Sequence, residues 1–239
     1  MDKETHSTTV FSLNHAMLNE KSRKLHSFYY PETNTLFKIK EYSESFKKTA
    51  LYLTKERKSD FNDHIYYEIA EHSERVGIYS SMIAKALFFF EWDKNKLLYT
   101  ALYHDIGKVF ISKEILHKKD KLSQAEYLIV KEHVKTGYEM LQGLKLAEDI
   151  SEAVLHHHER YDGKGYPDGL ANFEIPLFSR IISIADAFDA MTSDRAYRKA
   201  LLFHTAKSEL IKNKGTQFDP FLVDVFLDTL NTYLDDYPI

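Results

Sequence analysis

An apolar pattern of helical period, running from about Phe61 to near the C-terminus, constrains the fold more than any other feature of this sequence. As on the buried face of an amphipathic helix, apolar residues recur every three or four positions, first at Val76, Tyr79, Ile83, Ala86, Leu87 and Phe90. Strand-like alternation is nowhere sustained, and only 8 Gly and 5 Pro argue against a loop-rich β architecture. The sequence therefore predicts an all-α helical bundle whose functional side chains project inward from several helices.

The same pattern divides the chain into two regions. Further helices are expected over residues 97–109, 123–141, 147–158, 176–188 and 220–233. Ser123 followed by Glu126 has the form of a capping box, which marks a helix start. Residues 59–239 therefore form the main domain. Residues 1–58 form a short helical N-terminal extension with no recognisable chemistry, and we expect an interaction or homodimerisation region there.

The composition excludes several classes of function. The chain has no cysteine, which removes disulfides, thiolate catalysis and cysteine-ligated zinc, and which fits a reducing cytoplasm. The net charge of −4 argues against duplex nucleic-acid binding, because such binding neutralises many phosphates with Lys and Arg; a small anionic ligand is still compatible. The longest apolar cluster, Ala86–Phe90, is far shorter than the roughly 18 residues of a membrane span.

The stretch from Leu155 to Leu170 holds three adjacent histidines followed by a turn rich in glycine and acidic residues. This arrangement suggests metal ligands at a helix with a loop folded over them. The alternative is a histidine-rich helix C-terminus capped by glycine. His157 and His158 fall three and four residues after the apolar Val154 and are favoured as ligands, whereas His156 falls two after it and should point elsewhere.

Helical spacing identifies further candidate ligands in the first half of the domain. Glu68 and His72 are four residues apart and share one helix face; the alternative is an exposed Glu and a surface His. His104 and Asp105 are adjacent within an apolar segment, with Lys108 one turn further. Burial of these charged groups would imply an ion pair or a bound cation.

The second half of the domain supplies the remaining candidates. His133 lies at the edge of an apolar stripe, where a core histidine is the simpler interpretation. Asp186 and Asp189 are three residues apart on an otherwise apolar helix face, and two carboxylates so close repel each other unless a cation lies between them. Each candidate has a structural alternative, but those alternatives together explain the whole set poorly.

The candidate ligands named above, in their order along the chain and with the motifs around them, resemble the HD-GYP family. These are bacterial phosphodiesterases of the HD superfamily that hydrolyse cyclic di-GMP. The resemblance covers about residues 60–230, and its long glycine-rich motif is highly specific, whereas the His-Asp pair is not. Val134 departs from the family pattern, because proline usually follows that histidine. The motifs are His72, H-D-I-G-K at 104–108, His133 with Gly137, H-H-E-R-Y-D-G-K-G-Y-P at 157–167, D-A-F-D-A-M at 186–191 and R-A-Y-R at 195–198.

The resemblance implies a set of metal ligands in which Asp105 bridges two ions. Family members hold two or three metals, and Glu68 stands where three-metal members have an extra Glu, with Asp189 as a further candidate, so we favour three ions. Imidazole and carboxylate ligands suit divalent transition metals: iron or manganese is favoured, and zinc, cobalt or nickel would also fit. The implied ligands are His72, His104, Asp105, His133, His157, His158 and Asp186.

The resemblance also implies catalytic and substrate-binding residues. Asp105 and Lys108 are expected to be catalytic, with Lys108 reaching the phosphate as a point charge; an ion pair with a neighbouring acid is the alternative. Arg195 and Arg198 are expected to bind phosphate or guanine edges, unless they form a solvated basic face. Tyr166 is expected to line the pocket. Three further residues are expected to orient the metal-bound histidines, namely Glu159, Arg160 and Asp162.

The implied function is hydrolysis of the cyclic dinucleotide cyclic di-GMP to linear pGpG, with further hydrolysis to GMP as an extension. Two metal ions can lower the pKa of a shared water and stabilise both the entering and the leaving oxygens. One alternative is an enzyme for another cyclic dinucleotide, such as cyclic GMP-AMP, or for another phosphate ester. A second alternative, from a different class, is an effector that binds the dinucleotide without turnover.

Overall fold

The computed structural model describes Lys48 and residues 63–144, 147–194 and 199–236. Apart from Lys48, the predicted N-terminal extension lies outside the described residues, as do Arg195 and Arg198. Within the described ranges the chain forms helices and no strands, with only isolated backbone bridges such as the one between Asp162 and Ala171. The predicted all-α class is therefore confirmed.

The helices follow one another closely along the chain. Two short 3-10 helices span Ile106–Phe110 and Asn172–Glu174. Across the described ranges we find no helix with the length and apolar character that a membrane span requires. The α-helices are α1 Asp63–Ala86, α2 Glu91–Tyr103, α3 Lys113–Leu116, α4 Gln124–Lys131, α5 His133–Gly143, α6 Glu148–Leu155, α7 Leu177–Thr192, α8 Phe203–Lys212 and α9 Pro220–Asp236.

Helix α1 is the centre of the bundle and packs against α2, α7 and α9. The first part of its predicted apolar stripe is buried, with Val76 and Ile83 at 0% exposure, but the helix ends at Ala86, and Phe90, predicted on the same stripe, is 81% exposed. Tyr79 meets Phe188 edge to face at 5.0 Å, and Phe188 meets Phe226 in the same way at 5.1 Å. Such aromatic pairs add about 0.5–1.5 kcal/mol each to the burial of their apolar surface. They fix α7 and α9 against α1, and α7 carries two of the predicted ligands, Asp186 and Asp189.

Three helix starts predicted from the sequence are confirmed. Ser123 and Glu126 form the expected capping box, with the Glu126 backbone N–H donating to Ser123 Oγ at 3.3 Å and the Ser123 N–H donating to Glu126 Oε2 at 2.7 Å. Pro176 directly precedes α7, and Pro220 begins α9. Local chemistry determines these positions, because side-chain caps and proline act within a few residues of the chain.

Helix ends are less well predicted. The helix expected over residues 97–109 stops at Tyr103 and continues as the 3-10 helix, and the one expected over 123–141 is interrupted at Glu132. The helix expected over 147–158 stops at Leu155. These breaks matter for function, because predicted ligands that were expected inside helices lie instead at or just beyond helix ends.

The close approach of two backbones accounts for the first of these breaks. A Cβ atom on Gly107 would lie 2.0 Å from the carbonyl oxygen of His133 and 2.9 Å from the backbone nitrogen of Gly137. Glycine therefore allows the 3-10 helix to lie directly on α5. This contact brings the segment after α2, with Asp105, next to the first residue of α5, His133.

Candidate metal centre

Seven of the predicted ligands converge in two groups, and within each group one ligand atom per residue lies within 4.8 Å of the others. We call Asp105, His133, His157 and His158 the triple-histidine cluster, and His72, His104 and Asp186 the Asp186 cluster. The ligands come from α1, from the ends of α2 and α6, from the start of α5 and from α7. Residues up to 114 positions apart in the chain are thus assembled by helix packing.

Asp105 lies between the two clusters and is 2% exposed. Its Oδ1 lies 3.3 Å from Nε2 of His133 and 3.8 Å from Nε2 of His157. Its Oδ2 lies 3.4 Å from Nε2 of His104 and 3.7 Å from Nε2 of His72. Each carboxylate oxygen therefore faces a different cluster, which is the geometry that a bridging ligand requires.

Backbone carbonyls fix the orientation of three of the histidines. In each case the ring Nδ1 contacts the carbonyl three residues earlier, at 2.6–2.7 Å. A carbonyl oxygen only accepts hydrogen bonds, so Nδ1 carries the proton and Nε2 presents its lone pair. The pairs are His104 with Ala101, His133 with Val130, and His157 with Val154.

Several polar atoms directed into the centre find no hydrogen-bond donor among the described residues. Nε2 of His133 lies 3.5 Å from Nε2 of His157, although both atoms carry lone pairs. Within the described ranges, His104 Nε2 and Asp105 Oδ1 are buried and have no hydrogen-bond partner. Buried acceptors that face one another are costly unless a cation lies among them. The residues present therefore fit divalent metal ions, for which imidazole and carboxylate are suitable ligands.

Two histidines of the triple-histidine cluster have lowered pKa values, which favours metal binding. Burial lowers the pKa of His157 well below its usual range, and the neighbouring imidazoles of His158, His104 and His133 lower it further. Burial, followed by the proximity of His133, lowers the pKa of His158 to about 3. Both rings are therefore neutral near pH 7, so no proton has to leave before they bind a cation.

The Asp186 cluster has a different electrostatic character. Burial by itself lowers the pKa of His72, but hydrogen bonds to Asp186 and Asp189 outweigh it, so the pKa is raised above its usual value. Nε2 of His72 lies 3.1 Å from Asp186 Oδ1. Burial raises the pKa of Asp186, but the hydrogen bond with His72 contributes to holding it well below the usual range. Without metal, His72 therefore holds its proton more tightly than an ordinary imidazole does.

Asp189, which was predicted as a ligand, lies behind His72 rather than among the clustered ligands. Its Oδ2 accepts a hydrogen bond from Nδ1 of His72 at 2.7 Å, and its Oδ1 accepts one from Nε of Arg75 at 2.6 Å. With both oxygens bound to protein donors and the side chain 1% exposed, Asp189 orients His72 and directs Nε2 at the centre. Arg75 was not predicted as a functional residue, although its position three residues after His72 on α1 indicates that the two share a helix face.

Glu68 lies outside both clusters. Its Oε2 is 2.6 Å from Nε2 of His117, and its side chain is 51% exposed. The predicted role of Glu68 as a ligand for a third ion is therefore not supported by its position, which instead joins α1 to the segment after α3. That role remains a prediction.

Lys108 forms the ion pair that the sequence allowed as an alternative to a substrate contact. Its Nζ lies 2.6 Å from Asp105 Oδ2. Burial raises the pKa of Asp105, but the charge of Lys108, followed by that of His104, holds it well below the usual range. Lys108 thus keeps the bridging carboxylate ionised, and its half-buried ammonium remains at the edge of the centre.

The aromatic side chains of Tyr166 and Tyr127 lie next to the triple-histidine cluster and form what we call the aromatic wall. The Tyr166 ring stacks on His158, with centroids 5.0 Å apart and planes at 26°. Nζ of Lys131 lies 4.4 Å from the Tyr166 ring centroid and 5.7 Å from that of Tyr127. Tyr166 is therefore next to the ligands, as predicted for a pocket residue. Lys131 and Tyr127 were not predicted, although they lie one turn apart on α4.

Residues of the glycine-rich loop that were expected to orient the ligand histidines instead hold the loop together. Glu159 Oε1 accepts hydrogen bonds from the backbone N–H groups of Asp168 and Gly169, at 2.7 and 2.9 Å. Arg160 and Asp162 pair with each other at 2.9–3.0 Å. The expectation failed because backbone carbonyls already occupy Nδ1 of three ligand histidines.

Known proteins resemble this chain in sequence and fold. The 3'3'-cGAMP-specific phosphodiesterase 3 of Vibrio cholerae is 38% identical over 168 residues, which cover 70% of this chain and 36% of that protein. The cyclic di-GMP phosphodiesterase response regulator RpfG of Xanthomonas campestris is 34% identical over 213 residues, covering 81% of this chain and 56% of that protein. The chain thus spans only about a third to just over half of these relatives.

A solved structure of an HDGYP protein from Bdellovibrio bacteriovorus has a TM-score of 0.58 at 17% identity, covering 88% of this chain and 69% of that one. At this identity the similarity concerns the fold alone. The profile of the HD domain family matches residues 34–222, most of the chain. Together with the clustered ligands and the glycine-rich loop, this match shows that the chain belongs to the HD-domain family, in its HD-GYP group.

Proposed function

We propose that this chain is a metal-dependent phosphodiesterase that hydrolyses cyclic di-GMP to linear pGpG, with onward hydrolysis to GMP as an extension. The observation that carries the proposal is the position of Asp105, whose two oxygens face two separate groups of ligands. A pair of cation sites that share one carboxylate is suited to in-line displacement at a phosphodiester. Both named relatives described above are cyclic dinucleotide phosphodiesterases.

In this proposal the triple-histidine cluster holds one divalent transition-metal ion and the Asp186 cluster holds a second, with Asp105 contributing to both. When bound, such ions supply Lewis-acid stabilisation of phosphoryl oxygens and a nucleophilic hydroxide near neutral pH. Iron or manganese is favoured, and the same ligands would accept zinc, cobalt or nickel. A third ion would require Glu68 to leave His117, with which it pairs at 2.6 Å.

The protein's own residues would bind and position the dinucleotide. Lys108 offers a positive charge at the edge of the centre, where an anionic phosphodiester would lie. Tyr127, which is 49% exposed, offers an aromatic face to a purine base, Lys131 offers a cation beside it, and Tyr166 lines the pocket next to His158. Arg195 and Arg198 are proposed to bind phosphate or guanine edges.

A second candidate substrate is 3'3'-cGAMP, because the 38% identical relative from Vibrio cholerae is named as specific for it. Both dinucleotides present the same phosphodiester and differ in one purine base. The metal centre would therefore treat them alike, and the wall that receives the base would distinguish them. The ratio of kcat/KM for the two substrates, measured side by side, decides between them.

The test is turnover by protein purified under low oxygen with its metal content measured. Cyclic di-GMP and its linear products are followed by chromatography for the parent chain and for Asp105→Ala. We expect pGpG from the parent and none above background from the variant. Binding without linear product in the presence of iron, manganese and zinc would contradict the enzyme proposal. Faster hydrolysis of 3'3'-cGAMP would keep the mechanism and change the substrate.

Three further statements remain predictions. They are the domain boundary near residue 59, homodimerisation through residues 1–58, and a cytoplasmic location. Sedimentation of the full chain beside a chain that begins at residue 59 would test the first two. The shorter chain should lose dimerisation while retaining turnover.

A further inference from the structure

A third group of potential ligands lies outside the two clusters. One ring nitrogen of His156, one oxygen of Glu159 and one oxygen of Asp168 all lie within 4.8 Å of one another. His156 and Glu159 are 6% and 3% exposed and belong to the turn after α6, whereas Asp168 lies on the glycine-rich loop with its side chain 56% exposed. The group thus joins the end of α6 to the loop that carries Tyr166.

The orientation of His156 directs a lone pair at a carboxylate. Its Nδ1 contacts the backbone carbonyl of Glu152 at 2.9 Å, so Nδ1 carries the ring proton. Its Nε2 then faces Asp168 Oδ2 at 2.9 Å. A neutral imidazole and a carboxylate in this arrangement are two acceptors, and the contact requires a shared cation, which is either a second ring proton or a metal ion.

Glu159 distinguishes these two possibilities. Its Oε1 accepts two backbone hydrogen bonds, but its Oε2 is buried and, within the described part of the chain, has no hydrogen-bond partner. A buried carboxylate oxygen without a donor is costly. A proton on His156 would satisfy the contact with Asp168 and bring no donor to Glu159 Oε2. A metal ion bound by one oxygen of each carboxylate and by the ring nitrogen of His156 would offset both negative charges.

We propose that His156, Glu159 and Asp168 form a separate site for a divalent transition-metal ion of the zinc class. One imidazole and two carboxylates are suitable ligands for such an ion. The exposed position of Asp168 leaves room for water to complete the coordination. Because Asp168 follows Tyr166 by two residues, the ion fastens the pocket wall to the end of α6. This role is structural, so it does not depend on the proposed phosphodiesterase activity.

Metal counting tests the proposal directly. The full chain is stripped with a chelator, equilibrated with Zn²⁺, freed of unbound metal and analysed for zinc per chain. Asp168→Asn and His156→Gln should each lower the zinc content by about one ion per chain, and the double variant should lose the same single ion. Asp162→Asn is the matched control, because Asp162 is an acid of the same loop that pairs with Arg160 outside the group.

Thermal melting gives a second measurement that needs no enzymatic activity. Zn²⁺ should raise the melting temperature of the parent more than that of Asp168→Asn, because the variant lacks the ion that joins loop and helix. The exposed side chain of Asp168 makes this variant safe for folding. Unchanged zinc content in both Asp168→Asn and His156→Gln would overturn the proposal. The contact between His156 and Asp168 in the parent chain would then be an ion pair without metal. An equal loss of zinc in Asp162→Asn would overturn it as well.

Discussion

The two clusters that share Asp105 are built in different ways. In the triple-histidine cluster, backbone carbonyls hold His133 and His157, and burial keeps His157 and His158 neutral. In the Asp186 cluster a backbone carbonyl holds His104, but a side chain holds His72, and hydrogen bonds to acids raise the pKa of His72. A ligand held by the backbone needs only the fold, whereas one held by a carboxylate also needs that carboxylate to be placed and charged. The second cluster should therefore be the more sensitive to mutation and to pH.

The largest expected effect comes from displacing the carboxylate that both clusters share. In Gly107→Ala the new Cβ would lie 2.0 Å from the carbonyl oxygen of His133. This oxygen belongs to the backbone, so the clash can be relieved only if one of the two segments moves. We expect the free energy of unfolding to fall by about 3 kcal/mol or more, at the upper end of overpacking effects. Asp105 should move away from His133, and both clusters should lose metal affinity together. Denaturant unfolding and metal analysis measure these effects.

Gly143→Ala is the matched control, because a Cβ there meets nothing within 4 Å. It lies at the end of α5, the helix against which Gly107 packs. This control should retain its metal and be as stable as the parent or slightly more stable. If Gly107→Ala behaved like Gly143→Ala, close packing of the 3-10 helix on α5 would not position Asp105.

Removing the carboxylate that orients His72 should have a smaller effect, limited to the metal affinity of the Asp186 cluster. In Asp189→Asn the amide cannot hold both His72 and Arg75 as the carboxylate does, with contacts of 2.7 and 2.6 Å. The metal affinity of the Asp186 cluster should fall by about 10–100-fold, as is typical when the partner of a metal-bound histidine is lost. The triple-histidine cluster should retain its ion. Isothermal titration of stripped protein with Mn²⁺ resolves the two affinities.

A suitable control is Asp149→Asn, which removes an acid that pairs on the surface with Lys96 at 2.6 Å. It should leave both metal affinities unchanged. Equal weakening of both clusters in Asp189→Asn would contradict the division of the centre into two separately supported halves.

Lowering the pH should remove the metals in sequence. A raised pKa means that His72 binds a proton more tightly than an ordinary imidazole does, so protonation competes with metal below that pKa and not above it. The Asp186 cluster should therefore lose its ion first as the pH falls. His158, with a pKa of about 3, should still be neutral at that point and retain its ion. Metal content after equilibration between pH 8 and pH 5 gives the order of release, and simultaneous loss of both ions would contradict it.

The sequence predicts the ligands better than it predicts what supports them. The resemblance to the HD-GYP family implies His72, His104, Asp105, His133 and Asp186 as ligands, and the structure brings these five residues together in two adjoining groups. The helix end at Tyr103 could not be predicted, because it depends on the contact of Gly107 with a backbone distant in sequence.

The surroundings of Asp189 depend on tertiary packing in the same way. Its spacing from Asp186 suggested a ligand, and only the packing of α7 on α1 shows that Arg75 and His72 occupy both of its oxygens. The third group was missed in a similar way, since His156 meets Asp168 only after the loop folds back over the end of α6. Which side chains a given carboxylate contacts is determined by tertiary packing, which the local pattern does not contain.

The smallest effect is expected at Glu68, the position on which a third ion would depend. Its contact with His117 is exposed, and exposed ion pairs contribute between about 0 and 1 kcal/mol. Glu68→Gln should therefore leave the metal content unchanged and reduce stability only slightly. His117→Gln breaks the same contact from the other side and should behave identically. If Glu68→Gln alone lowered the metal content by about one ion per chain, Glu68 would have to leave His117 when metal binds, and the Asp186 cluster would extend to a third ion. If both variants kept the metal content of the parent chain, the centre would be limited to two ions next to Asp105.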